Sequence, residues 1–469
     1  MLNINDYVDD IPDVSCPNFI SWLEMVEKNN DRTAIMYRAG KQREFTRWSY
    51  TRLASEVRRI ARGLLASGLN KGDRVILWAE NRPEWMAVWL GAAVAGLTIV
   101  PVDFLISEAE CLNIIKITKA RAFFYSGRKL SFAKSLDAGT LGLNAIVCIS
   151  ATEGGGGESE YDSFGGNAAS QALPAAETVA ERDPVSIVFT SGTTGFAKGV
   201  TLSHRGIIAN TSAAIRQLSP NSTDTFIDVL PLHHTYPTTC TFMAPLTLGI
   251  PVVIAEKIVG KVVIDDIKDA GVTFLIAVPL LFDKVMAAID QGYQKLPGIV
   301  KAPLNVLRSI ALKQANKGNP EFGMRVFKFV RKKAGLDSVR MLVAGGGPLN
   351  PNTADFFDSL GFNLVNGYGM SENGPLISVN TPKHRNNKSV GLPVLYTDVK
   401  IVDVNEEGIG EIAVKSPSLM IGYFENEEAT REAFTEDGYL LTGDLGYRDE
   451  EGFVFINGRK KNLIVSSGG

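Results

Sequence analysis

The sequence predicts an α/β protein: a large domain of two doubly wound sheets with helices, followed by a small antiparallel, barrel-like β unit. Two patterns carry this expectation. Through the first 150 residues, and again from about 184 to 377, apolar residues at helical spacing alternate with short β-rich runs. That alternation marks largely parallel sheets covered by helices. From Ser378 the texture changes to short runs divided by Gly, Asp and Asn, with Val399–Val402, Glu411–Lys415 and Phe453–Ile456 as strands. A chain of 469 residues has room for about three domain-sized units.

In chain order, Leu53, Val57, Ile60 and Leu64 recur at helical spacing, and Gly68 supplies a stop. Arg74–Trp78 reads as a strand. Trp85–Val102 carries no charge over 18 residues, close to the lower length of a membrane-crossing helix. Gly91, Gly96, Thr98 and Pro101 interrupt it, so a buried helix from about Pro83 to Ala95 and a strand Thr98–Val102 fit better. Ser107 and Glu110 form a capping box for a helix carrying Leu112 and Ile115. Ala122–Tyr125 and Ala145–Ile149 are strands. From Ala151 to Asp183, Gly154–Gly157 and Gly165–Gly166 mark a surface connection. The expected units are therefore about 1–180 and 184–377, a β unit at 378–457, and a hinge with a stub at 458–469.

Composition excludes several classes. Hydrophobic residues make up 45% and charged residues 21%, with a net charge of −3. This is neither a disordered chain nor a polycation, and no nucleic-acid partner is implied. Cys16, Cys111, Cys148 and Cys240 form no metal-binding or disulfide spacing, and no secretory leader is visible, so a cytoplasmic setting is expected. One segment departs from the average. Residues 283–336 are helical in pattern and hold eleven Lys and Arg. This is a solvated helical surface, or one that approaches anionic lipid or the phosphates of CoA in peripheral membrane contact.

The strongest local signal follows the buried strand Ile187–Phe189. Thr190, Ser191, Gly192, Thr193, Thr194, Gly195, Lys198 and Gly199 form a loop of glycines and hydroxyls ending in a lysine. Glycines let backbone N–H groups approach an anion, hydroxyls donate to phosphate oxygens, and Lys198 adds a positive charge. It is not a Walker loop, because Gly199 follows the lysine and an extended segment, Val200–Leu202, comes next.

With these residues the sequence resembles the adenylate-forming superfamily of acyl-CoA synthetases, luciferases and adenylation domains, and among them most the long-chain fatty acid–CoA ligases. Thr190–Gly199 looks like its signature loop, with Ala197 where proline is usual. Pro231–His234 resembles the motif that gates the acyl pocket, and Gly345, Gly346, Gly347 and Pro348 the adenine-binding turn. Asn366, Gly367, Tyr368, Gly369, Met370, Ser371 and Glu372 match the Tyr-Gly-x-Ser/Thr-Glu motif. Thr442–Asp444 matches the ribose-binding motif and Gly458–Lys461 the hinge.

The resemblance implies ATP, Mg²⁺ and CoA as cofactor and co-substrates. It assigns the chemistry to Lys198, His234, Ser371 and Glu372. Tyr368 would stack on adenine, Ser371 would bond the α-phosphate, Glu372 would hold Mg²⁺, and Asp444, assisted by Arg459, would hold the ribose hydroxyls. It also implies a further small α+β domain with a catalytic lysine. The sequence stops at Gly469, just past the hinge, so that domain is expected to be absent and adenylation to be slow. The apolar run Thr239–Leu248 and the basic insertion point to a medium or long fatty acid. An aryl or other carboxylic acid, and a non-catalytic nucleotide-binding role, remain open alternatives. Oligomeric state is not legible.

Overall fold

The structure, a computed structural model, describes residues 16–39, 42–150, 160–190, 198–255 and 260–460. Three sheets organise these residues. In the first, Pro184–Thr190, Thr98–Pro101, Arg74–Trp78, Ala122–Tyr125 and Ala145–Cys148 run parallel in that spatial order. Lys198–Ser203 and then Gly422–Tyr423 extend its edge antiparallel. The second sheet has nine strands, with Leu364–Gly369, Met341–Ala344, Phe274–Ala277, Phe226–Asp228, Val252–Ile254 and Thr33–Tyr37 parallel. The third is antiparallel, in the order Asp398–Val402, Gly410–Lys415, Leu440–Arg448, Val454–Arg459.

The uncharged stretch resolves as core. Its helix, Pro83–Val94, is buried on every side, which is why its sequence lacks a polar face. Gly96, at φ +73°, turns the chain into the strand Thr98–Pro101. Trp89 meets Phe19 edge-to-face at 5.1 Å and Phe242 at 6.3 Å, so this helix ties the first segment to the segment after the His233–His234 pair. Gly91 allows close helix contact, since a Cβ there would stand 2.7 Å from Ile60. Among the described residues no helix is long and apolar enough to cross a membrane. The capping box forms as expected: Ser107 Oγ accepts from the Glu110 N–H at 3.2 Å, and the Ser107 N–H donates to Glu110 at 2.9 Å.

Two expectations need correction. The strands do not sort by the division at 180–184. Thr33–Tyr37 and Thr46–Ser49 belong to the second sheet, whereas Pro184–Thr190 and Lys198–Ser203 complete the first. Apolar patterning states which face of a strand is buried, not which distant strand it pairs with. The small β unit is also not closed. Its edge strands Asp398–Val402 and Val454–Arg459 do not pair among the described residues, so it is an open four-stranded sheet. Part of the 151–183 connection, including Gly154–Gly157, lies outside the described residues. The remainder forms short turns of helix at Glu160–Ser163, Gly166–Ala168 and Ala176–Thr178.

Candidate active site

The hairpin of the first sheet positions the phosphate-loop signal. Thr190 pairs with Lys198 and Phe189 with Gly199, and the Thr190 hydroxyl donates to the Lys198 carbonyl at 3.4 Å. Ser191, Gly192, Thr193, Thr194 and Gly195, between these anchors, lie outside the described residues. Gly199 leaves room for Phe424, whose N–H donates to the Gly199 carbonyl at 2.7 Å. This seats Gly422–Tyr423 on the hairpin edge and places the Tyr423 ring beneath Lys198, with Nζ 4.5 Å from the ring centroid. That spacing suits a cation–π contact.

The same tyrosine reaches across to the second sheet. Its hydroxyl donates to Glu372 Oε1 at 2.9 Å. Burial, then the Glu372 carboxylate, raises the Tyr423 phenol above its ordinary range, so it remains a donor at neutral pH. Glu372 lies in the short helix Ser371–Asn373 that follows the strand Leu364–Gly369. Asn210, buried on the helix His204–Leu218, clamps this turn. Its amide donates to the carbonyls of Asn373 and Leu376 at 3.1 and 3.0 Å and accepts from the Leu376 N–H at 2.9 Å. The Thr235 hydroxyl meets Ser371 Oγ at 3.4 Å. Lys198, Tyr423, Glu372, Ser371 and Thr235 thus form one chain of contacts from the first sheet to the second.

Further along the same strand, the Tyr368 hydroxyl donates to Asp444 Oδ2 at 2.6 Å, and Arg459 Nε pairs with Asp444 Oδ1 at 2.9 Å. Burial, with the Asp444 carboxylate next, holds the Tyr368 phenol far above its ordinary range. Thr442 receives the Asp444 N–H at 3.1 Å and donates to the Ile412 carbonyl at 2.8 Å, which fixes the Thr-Gly-Asp turn on the third sheet. Asn366 Oδ1 is buried without a hydrogen-bond partner among the described residues. An orphan acceptor at that depth is costly unless a ligand supplies a donor.

Gly345, Gly346, Gly347 and Pro348 follow the strand Met341–Ala344, beside the start of the helix Pro279–Gln294. A Cβ at Gly345 would stand 2.7 Å from the Tyr236 ring and hydroxyl, so glycine makes room for this aromatic. The Tyr236 hydroxyl is buried and has no hydrogen-bond partner among the described residues. The rings of His233 and His234 lie with centroids 4.0 Å apart and planes tilted by 49°. Burial, then the neighbouring His234, pushes His233 down to about 4, and burial lowers His234, so both are neutral near pH 7. Asn81, between the first sheet and its buried helix, bonds Asp228, the Leu230 carbonyl and the Leu232 N–H, and so fixes the approach to this pair. Behind it, Thr238–Met243 winds as a π-helical turn, a form that recurs at functional sites. A small cavity of about 10 Å³, lined by both apolar and hydroxyl side chains, lies among Trp89, Ser186, Val188, Ile207, Thr235 and Thr238.

Sequence reasoning did not single out Tyr423, Asn210, Thr235, Asn81 or Tyr236 as site residues, although Tyr236 stood beside the gate motif. A polar Asn in mid-helix was a usable signal for Asn210, because such a residue needs a tertiary reason. Tyr423 carried none, because its role arises from strand pairing.

With this geometry in place, the comparisons with known proteins are specific. The AMP-binding enzyme family matches residues 23–424. A peroxisomal long chain acyl-CoA synthetase 7 of Arabidopsis thaliana is 30% identical over 95% of this chain. A long-chain-fatty-acid–CoA ligase, FadD15, of Mycobacterium bovis is 28% identical over 89%, and a 4-coumarate–CoA ligase 3 of Oryza sativa is 26% identical over 90%. The chain spans 66%, 70% and 71% of those relatives' lengths, respectively. Among solved structures, apo MatB from Rhodopseudomonas palustris superposes with a TM-score of 0.76 at 23% identity, covering 96% of this chain and 80% of that one. The inhibitor-bound N-terminal domain of FACL13 from Mycobacterium tuberculosis gives 0.74 at 22%, covering 95% and 100%. At these identities the structural likeness establishes the fold. The family match spans most of the sequence, and the chain belongs to the AMP-binding enzyme family.

Proposed function

We propose that this chain binds ATP and a carboxylic acid and forms an acyl-adenylate, as the nucleotide-binding body of an AMP-forming acyl-CoA ligase. The observation that carries the reading is the contact chain from Lys198 through Tyr423 to Glu372 and Ser371, with Tyr368 of the preceding strand bonded to Asp444, and Arg459 paired with Asp444, on the third sheet. These cationic, hydroxyl and carboxylate groups lie just beyond the carboxyl ends of the parallel strands Pro184–Thr190 and Leu364–Gly369, which supports the reading because doubly wound sheets bind ligands at such ends. In this reading the acid's carboxylate attacks the α-phosphorus of ATP, the bond to the β-phosphate oxygen breaks, and pyrophosphate leaves. The thiol of CoA then displaces AMP to give a thioester. Lys198 and the loop hydroxyls offset charge on the departing phosphates, and Ser371 orients the α-phosphate. Asn366 Oδ1 offers its unused acceptor to the adenine amine, and Asp444 accepts from the ribose.

Glu372 fits Mg²⁺. Among the described residues no cluster of three His, Cys, Asp or Glu exists that could cage a metal. A single carboxylate is what Mg²⁺ needs when substrate phosphates and water complete its shell. Bound there, the ion would neutralise phosphate charge.

For the acid, the apolar run Thr239–Leu248 that follows the His233–His234 pair supports an apolar, fatty acyl chain. A second reading has its own observation. The unpaired Tyr236 hydroxyl at Gly345 suits an aryl acid carrying a polar group. Calorimetric titration with dodecanoyl-, coumaroyl- and aminoacyl-sulfamoyladenosine separates them, because these analogues need no turnover. Tightest binding of the dodecanoyl compound is expected. A preference for the coumaroyl compound overturns the fatty-acid assignment, and no binding of any analogue or of ATP overturns the adenylation reading. ATP–pyrophosphate exchange with the matching acid then tests catalysis.

A further inference from the structure

We propose that the outward face of the helix Gly298–Ala315 docks on an anionic lipid bilayer. At roughly 100° per residue, Ile299, Pro303, Val306 and Ile310 fall in one narrow sector of this helix. That sector points away from the protein. Ile299 is 85% exposed, Val306 60% and Ile310 39%, whereas Ala311 and Ala315 on the opposite side are buried. Pro303 is exposed as well. Single exposed aliphatic residues are ordinary, but a line of them over three turns is not.

The charge around the stripe is one-sided. Between Asp290 and Glu321 there is no acidic residue; of the five basic ones, Lys295, Lys313 and Lys317 are exposed, whereas Lys301 and Arg308 turn back onto Gln294 and Ser359. Lys313 lies in the last turn and Lys317 just past the helix end, and both are exposed. Across 283–336 eleven basic residues stand against three acidic ones, in a chain of net charge −3. An anionic bilayer uses both features: aliphatic side chains enter between headgroups while lysines reach the phosphates. Pro303 leaves the Ile299 carbonyl without its helical donor. A group of that kind suits the hydrated headgroup zone rather than the hydrocarbon. A second copy of this chain fits less well, since a twofold contact would press two identical basic segments together. Nucleic acid would meet the charge and leave the aliphatic line unused.

The surface stands apart from the adenylation reading, and the test reads vesicle binding, not turnover. The chain is sedimented with vesicles of phosphatidylcholine alone and of phosphatidylcholine with phosphatidylglycerol. Binding to the anionic vesicles, weakened by salt, is expected. Val306→Glu with Ile310→Glu abolishes it. Lys313→Gln with Lys317→Gln lowers the partition coefficient by roughly tenfold. All four positions are exposed, so the thermal midpoint stays at the wild-type value, and either pair alone keeps the test decisive. Equal binding to both vesicle types, no binding, or wild-type binding by both double variants overturns the proposal. So does self-association of the free chain that Val306→Glu with Ile310→Glu removes.

Discussion

The Tyr368 hydroxyl and the Asp444 carboxylate are joined by a 2.6 Å hydrogen bond between the second and third sheets, and Arg459 holds the other carboxylate oxygen at 2.9 Å. Both oxygens of the proposed ribose-binding group are therefore engaged before nucleotide arrives. A carboxylate has about four acceptor positions, so ribose hydroxyls can share Asp444 without displacing Tyr368. Tyr368→Phe keeps the ring and removes one bond to a buried charge. It should lower unfolding free energy by about 1.5–3 kcal/mol, read by urea denaturation. Asp444→Asn should weaken ATP binding by roughly tenfold or more. Unchanged ATP affinity in that variant would remove Asp444 from the nucleotide site.

Tyr423 stands between Lys198 and Glu372, and those two form no ion pair among the described residues. The tyrosine keeps the cation on its ring face and the carboxylate on its hydroxyl. Tyr423→Phe retains the first contact and loses the second. Glu372 is then held less firmly, and Mn²⁺ binding in the presence of ATP, followed by electron paramagnetic resonance, should weaken by about three- to tenfold for one lost hydrogen bond. ATP binding without metal should stay the same. A loss of metal-free ATP binding instead would assign Tyr423 to the fold of the phosphate hairpin.

Asp228 gives a pH dependence with a definite sign. It is buried beneath the gate segment, accepts from Thr241 at 2.9 Å and Asn81 at 2.7 Å, and burial pushes its pKa up to about 7. The folded chain therefore binds this proton more tightly than the unfolded chain. Stability from the group is greatest at low pH and declines as pH rises from about 4 to about 7. His204 and His233, both pushed down to about 4 by burial, act in the opposite direction and favour the fold as pH rises toward 6.5. The whole-protein curve mixes the two, so the variant isolates the term. The wild-type thermal midpoint minus that of Asp228→Asn should fall between pH 4 and 7 and stay flat above. A difference independent of pH would show that Asp228 does not titrate in this range.

Local order was the legible part of this fold. The helix at Leu53–Leu64, the capping box at Ser107 and Glu110, and the strand at Arg74–Trp78 follow from periodicity, cap chemistry and β-rich composition. Each is decided within a dozen residues. The exchange of strands between sheets was not legible, because Thr33–Tyr37 and Pro184–Thr190 look alike as apolar runs and differ only in distant partners. Likewise Tyr368, Glu372 and Asp444 were marked by their motifs, whereas Tyr423 acquires its place from pairing with Val200. Asn210 sits in a helix whose pattern explains its helicity and says nothing of what its amide holds.

That amide supports the last prediction. Asn210 satisfies three backbone groups of the turn carrying Ser371 and Glu372, two carbonyls and one N–H. Asn210→Ala leaves the Asn373 carbonyl and the Leu376 N–H without this partner in a buried place and should cost about 2–4 kcal/mol, while the Leu376 carbonyl keeps its bond from the Asn373 amide at 2.8 Å. Asn210→Asp is the sharper test. It nearly preserves size and the acceptor for Leu376, but it turns a carboxylate oxygen toward the carbonyls of Asn373 and Leu376, where the amide had donated. A buried, unpaired charge is costlier than a small void, so Asp should destabilise more than Ala, and the gap should narrow as pH drops and the carboxyl protonates into a donor. Thermal midpoints of the two variants at pH 5 and pH 8 measure this directly. If Asp were tolerated as well as the wild-type residue at pH 8, water rather than Asn210 would be satisfying that turn.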